Sequence, residues 1–126
     1  IATPNIKFLG SIPFKEIVTK YKQADIFINT GNTKSLDKTV LEAMSCGTYV
    51  INSNIGYSDI LKDFPLCQFE HGNYKELASK LEEVTLLPRD KRINTDKALR
   101  QIVIDNHNIY NLIDKIINIF TKVCRK

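Results

Sequence analysis

Cysteine and histidine are scarce in this chain of 126 residues, and neither is arranged for chemistry. Cys46, Cys67 and Cys124 are odd in number and none sits in a C-x-x-C pair, so a disulfide framework and a structural zinc site are both poor readings. His71 and His107 have no cysteine or carboxylate at ligand spacing and read as surface histidines. Free thiols without a crosslinking pattern fit a reducing, cytoplasmic compartment. No apolar run approaches the roughly 20 residues that span a bilayer, and no stretch of these residues has the pattern of a signal peptide. Internal repeats and low-complexity linkers are missing as well. A net charge of +4 and a pI near 9.0 allow weak affinity for anions. The lysines are scattered, though, without the clustered arginines or aromatics of a nucleic-acid surface, so nucleic acid is not expected as a partner.

What is present is ordinary for a globular domain: 43% hydrophobic and 25% charged residues, in a length that fits one domain with a core. Because it begins at Ile1 without methionine, the chain reads as a fragment or a processed form. Strand and helix patterns alternate over residues 1–87. "NIKFLG" (residues 5–10) reads as a buried strand ended by glycine. Pro13 opens a helix with Ile17, Val18, Tyr21 and Ala24 at helical spacing. "DIFIN" (25–29) is a second strand, followed by a polar loop. A helix from about Asp37 to Cys46 places Val40, Leu41 and Met44 on its core face, with Gly47 at its C′ position. "TYVINS" (48–53) and "LCQFE" (66–70) are further strands, separated by a turn and a short helix. Asn73 and Glu76 form a capping-box pattern before a helix carrying Leu77, Leu81 and Val84, which stops before Pro88. Residues 88–126 read as an all-helical extension of the same domain. There Ile109, Leu112, Ile113, Ile116, Ile117 and Phe120 share one apolar face, expected to serve as core or interdomain packing. A peripheral membrane role for that helix rests only on Lys122, Arg125 and Lys126.

Such alternation predicts a parallel sheet with helices on both faces, and ligands in sheets of this kind sit beyond the carboxyl ends of the strands. The loop after "DIFIN" lies at such an end. The helix that follows offers the unpaired amides of Lys38 and Thr39 to a phosphate, helped by the helix dipole. Glu42 stands one turn further on, within an otherwise apolar stretch. Spacing alone favours a plain solvated position for it. Next to a phosphate site, however, a carboxylate is also the natural acceptor for the two hydroxyls of a ribose.

The residues "IKFLGSIPFKEIVTKYKQADIFINT" and "VLEAMSCGTYVINSNIGYSDIL" resemble the carboxyl-terminal, donor-binding half of retaining glycosyltransferases of the GT-B fold, family 4, over about residues 5–73. The resemblance implies a partial Rossmann-like parallel sheet with a helical C-terminal extension. Its implied function is transfer of a sugar from a nucleotide-sugar donor to an acceptor in cell-surface polysaccharide or glycoconjugate synthesis. This segment would bind the donor nucleotide and be inactive by itself. The family's ribose-binding glutamate falls on Glu42, its phosphate-binding amides on Lys38 and Thr39, and the loop flanking the base on Ser11 and Ile12. No catalytic residue, cofactor or metal is implied within these residues. A sugar or lipid-linked acceptor would be held by an amino-terminal domain that this sequence does not contain.

The chain departs from the family pattern in one place. Many members carry E-G-F-G-x-x-x-x-E, whose first glutamate touches the donor sugar. Lys34 stands at that position, and Ser35 and Asp37 replace the two glycines. Either Lys34 or Lys38 would add charge against a diphosphate, whereas Asp37 would oppose it unless turned away. Asp37 otherwise reads as a simple helix-start charge. The family's donor domain also opens with two β-α units not found here, which leaves the "IKFLG" strand without neighbours. A catalytically silent nucleotide-binding module of the same fold is the alternative, with GT-B sugar epimerases a third option.

Overall fold

A computed structural model describes residues 5–124. Pro13 occupies the N-cap of α1 (Phe14–Gln23), where its lack of an amide costs nothing, and Tyr21 is the residue α1 buries. β1 (Ile26–Asn29) follows almost directly. α2 (Lys38–Ser45) buries Val40, Ala43 and Met44. It ends in a Schellman arrangement: Gly47, at φ +75°, donates to the Met44 carbonyl, and Thr48 donates to the Ala43 carbonyl. The chain then re-enters as β2 (Tyr49–Asn52), parallel to β1, with Ile26 opposite Tyr49 and Asn29 opposite Asn52.

All four residues of β2 are buried, and successive strand residues point to opposite faces, so both faces of β2 are covered. α2 and α4 (Arg89–Asn106) both pack on it. The core joins Tyr49, Val50 and Ile51 to Met44, Tyr57, Leu61, Val84 and Leu99. Two hydrogen bonds and a ring contact tie α1 to this unit. The Thr48 hydroxyl donates to the Tyr21 carbonyl at 2.7 Å, the Tyr21 hydroxyl reaches Glu42, and the Tyr21 and Phe27 rings meet edge to face at 5.5 Å. α3 (Tyr74–Leu86) is capped by Asn73, whose side chain accepts from the Glu76 amide. The return bond differs from a simple capping box: the Glu76 carboxylate accepts from the amide of Glu70 at 2.8 Å.

Three expectations do not hold. Residues 6–10 form no strand and are exposed, because the sheet of the described residues contains only β1 and β2 and offers that segment no neighbour to pair with. Residues 66–70 form no strand either. Pro65 starts a 3-10 turn over Pro65–Cys67, which leaves a single parallel bridge from Gln68 to Asn52. Finally, the core-packing half of the expectation for α5 (Ile109–Cys124) does not hold: the helix buries no residue, and its apolar face stays exposed, as a face for interdomain packing would be in this chain by itself. The remaining helices and the strands β1 and β2 stand within a residue or two of their expected bounds.

Candidate functional site

At the carboxyl ends of β1 and β2, loop 30–37 is gathered around the side chain of Asn54. Asn54, just past β2 and 2% exposed, donates through Nδ2 to Asp37 Oδ2 (2.7 Å), the Ser35 carbonyl (2.8 Å) and Thr33 Oγ1 (2.9 Å). Its Oδ1 accepts from the amides of Lys34 (3.1 Å) and Gly56 (3.0 Å). Asn29 adds a bond from its own Nδ2 to Asp37 Oδ2 at 3.0 Å, and Thr33 donates to Asp37 Oδ1 at 2.9 Å. These bonds, from Asn54 first and then Thr33 and Asn29, hold the Asp37 carboxyl below its ordinary range against the opposing effect of burial. The Tyr57 hydroxyl donates to the Asp37 carbonyl. Loop and turn also pack tightly. A Cβ on Gly56 would lie 2.8 Å from the Ser35 carbonyl oxygen, so no larger residue fits there without moving the loop.

The consequence falls on α2. Asp37 is its N-cap, yet the carboxylate that would ordinarily cap the first turn is turned inward onto Asn54, Asn29 and Thr33 and makes no cap bond. Val40 donates to the Asp37 carbonyl, whereas the amides of Lys38 and Thr39 have no acceptor among the described residues. A helix start with open donors, the positive end of the dipole and an adjacent lysine favours an anion. Glu42 lies one turn along, half-buried, and its Oε2 accepts from the Tyr21 hydroxyl at 3.1 Å. Burial, then the hydrogen bond to Glu42 and its charge, push the Tyr21 hydroxyl up to about 12, so Tyr21 remains a donor at neutral pH.

Helical spacing puts Lys38, Thr39 and Glu42 on neighbouring positions of α2. Lys34 is exposed in the loop, in a left-handed conformation at φ 61°, with its amide rather than its side chain fixed by Asn54. Ser11 and Ile12 lie immediately before α1, and no hydrogen bond joins them to α2. Three of the clefts among the described residues bear on the placement of the site. One of about 380 Å3 at the end of β2 is lined by Asn32, Ser53, Gln68 and His71 and by none of the expected site residues. A second, of about 430 Å3, has Lys38 and Leu41 on one wall and His107 and Lys115 on the other. The third, of about 500 Å3, lies at the opposite end of the sheet, beside Asp25 and Arg92. Among the described residues, no cluster of His, Cys, Asp and Glu is placed to hold a metal ion, and no helix is long and apolar enough to cross a membrane.

Sequence reasoning did not find Asn54, Asn29 or Tyr21. The one local cue was the N-x-G of Asn54 to Gly56, a pattern suited to a side-chain cap, which Asn54 supplies to the 3-10 turn Ile55–Tyr57.

A parallel β-α-β unit with an open helix start at the carboxyl ends of its strands is the place where open α/β sheets commonly bind ligands. The family follows from comparison: the model of glycosyl transferases group 1 matches residues 1–85, and the chain belongs to that family. Its class is thus that of enzymes that transfer glycosyl groups. No curated protein and no solved structure matches the chain.

Proposed function

We propose that this chain is the donor-nucleotide-binding part of a nucleotide-sugar-dependent glycosyltransferase, with α2 as the helix that holds the donor. The observation that carries this reading is the open start of α2: the Asp37 carboxylate is diverted from the Thr39 amide it could cap, and the Lys38 amide, at the first helical position, is open as well, one turn before Glu42. In this reading the two amides receive the diphosphate, and the Lys38 side chain adds charge. Glu42 accepts the ribose hydroxyls on the lone pairs that Tyr21 does not use, and Tyr21 fixes its orientation. Ser11 and Ile12, at the mouth of α1, flank the base. The chemistry supplied is electrostatic: as the glycosidic bond breaks, charge grows on the leaving diphosphate, and donors already aimed at it lower the barrier without reorganising. The acceptor, a sugar or lipid-linked saccharide, belongs to a part of the enzyme outside this chain.

The test is Glu42→Gln in an enzyme that includes its acceptor-binding part. Glutamine keeps the shape and one acceptor oxygen but loses the charge that strengthens hydroxyl bonds. Nucleoside diphosphate affinity by calorimetry falls at least tenfold, or about 1.4 kcal/mol, with little change in melting temperature. Equal affinity would return Glu42 to a purely structural partnership with Tyr21.

A second reading, a silent nucleotide-binding module, is favoured by one feature. Lys34 stands where many family members carry the glutamate that touches the donor sugar, and it is exposed and left-handed. The readings separate on turnover: a silent module binds nucleoside diphosphate and never consumes a nucleotide-sugar donor.

A further inference from the structure

α5 divides into two halves along its length. At 3.6 residues per turn, its large apolar side chains fill one continuous arc of about 180°, with Ile109, Ile113, Ile116 and Phe120 at the centre. No polar residue interrupts that arc, and every large apolar side chain in it is between 43% and 76% exposed. Asn111, Asp114, Asn118 and Thr121 lie on the opposite half. The two borders differ. Lys115 and Lys122, two turns apart, stand together on one of them, and neither has a carboxylate within salt-bridge distance among the described residues. Lys115 also shares the cleft of about 430 Å3 with Lys38, which extends the cationic border toward α2. Tyr110 stands on the other border. Asp114, the one carboxylate of α5, is on the polar half away from the lysines.

We propose that α5 is an interfacial helix that lies flat on an anionic lipid bilayer, with its apolar half among the acyl chains and its lysine border at the headgroups. Two observations favour a bilayer over a protein surface. A helix packed on a protein core buries a stripe of roughly 100° or a little more, and a two-stranded coiled coil only its narrow a/d seam. An arc of about 180° exceeds both, whereas the boundary of a bilayer covers half a helix at once. The borders carry the second observation. From the edge of the arc a lysine stem runs along apolar surface while its ammonium reaches the phosphates, and a tyrosine sets its ring in the boundary with its hydroxyl in water. With 16 residues, α5 is about 24 Å long, short of the roughly 30 Å of a hydrocarbon core, so it lies on the bilayer and does not cross it. Arg125 and Lys126 follow in the sequence and add to the positive charge.

The experiment uses the full 126-residue chain and vesicles of phosphatidylcholine with or without phosphatidylglycerol, read by co-sedimentation. The chain partitions onto the mixed vesicles at least threefold more strongly than onto phosphatidylcholine alone, and high salt removes the difference. Ile116→Asp combined with Phe120→Asp loses at least tenfold in partition coefficient. Because α5 buries no residue, the melting transition of the core stays in place. Lys115→Glu combined with Lys122→Glu loses at least threefold on the mixed vesicles. Phe8→Asp, at an exposed apolar residue before α1, changes nothing; a loss there as large as that from α5 would mean indiscriminate apolar adhesion and overturn the assignment. Depth is read with tryptophan: brominated acyl chains quench Phe120→Trp and spare Asn118→Trp, and equal quenching would overturn the flat orientation. Two further outcomes give the face to another occupant and sink the proposal. A dimer that Phe120→Asp dissociates, without vesicle retention, assigns a second copy of the chain. Phe120→Trp emission that is already blue-shifted in an enzyme with its acceptor-binding part, and that vesicles do not alter, assigns another domain. Glu42→Gln leaves vesicle retention unaltered, so the outcome is independent of the reading given to α2.

Discussion

Both ends of the Asn54 carboxamide are committed, its two N–H hydrogens shared among three acceptors and its oxygen accepting from two amides, and the residue is buried. Asn54→Ala strands those groups in a space too confined to rehydrate all of them. The expected cost is about 2–4 kcal/mol, read as a lower urea midpoint at unchanged slope. A loss below about 0.5 kcal/mol, the range of an ordinary surface change, would mean that loop 30–37 is held by other means. Asp96 acts with the opposite sign. Burial pushes its carboxyl up to about 6, only partly countered by Arg92. An acid whose folded value lies above its unfolded one loses stability as pH rises between the two, here from about 4 to about 6, because only the unfolded state readily gives up the proton. Asp96→Asn therefore melts higher than the parent at pH 7.5, with the advantage gone below pH 4. An equal gain at both pH values would point to better packing rather than to the charge.

The elements legible in the sequence are those whose cause is local. α2 and α3 follow from apolar spacing, Gly47 and Asn73, and each stands within about one residue of its expected start and end. The buried run of β2 was legible for the same reason. The segments 6–10 and 66–70 have strand-like composition, but a strand exists only where a neighbour offers its ladder, and that information is not local. The site divides in the same way. Lys38, Thr39 and Glu42 could be placed from a helix start, whereas Asn54 meets its partners across 17 to 21 residues of chain. The turn also sets a test between two ways of holding an anion. If the α2 amides do the binding, Lys34→Ala weakens nucleoside diphosphate binding by only about 0.5–1 kcal/mol, and less at high salt, as expected of an exposed charge. Thr39→Pro removes an open donor and sets a ring against the phosphate, while a first-turn proline spares the helix bonds, so its loss is the larger. The reverse order would mean that the lysine, not the helix start, captures the anion.

At the scale of the molecule, a well-covered β-α-β centre carries edges that are not covered. β2 is buried on both faces, but β1 pairs on one side only, and Ile28 is 39% exposed. Before α1, Ile6, Phe8 and Leu9 lie open to solvent, and at the other end the apolar face of α5 does the same. Two parallel strands alone are a marginal sheet, so the stability of this chain resides in the packing of α2, α4 and β2 rather than in the ladder. That distribution makes a prediction for amide exchange. Ile51 and Val50, in the core, exchange only through opening of the whole unit. Residues 6–10 have no strand partner and exchange at rates near those of an unfolded chain, orders of magnitude faster than β1, whose amides are bonded to β2 on one side. The measurement is native-state hydrogen exchange on the monomeric chain, with monomer state checked by light scattering. Protection of residues 6–10 as strong as that of β1 in the monomer would require a ladder partner within the chain, and the two-stranded sheet described above would then be incomplete. Protection that appears only when further strands of a longer protein are present would instead identify those strands as the missing partners.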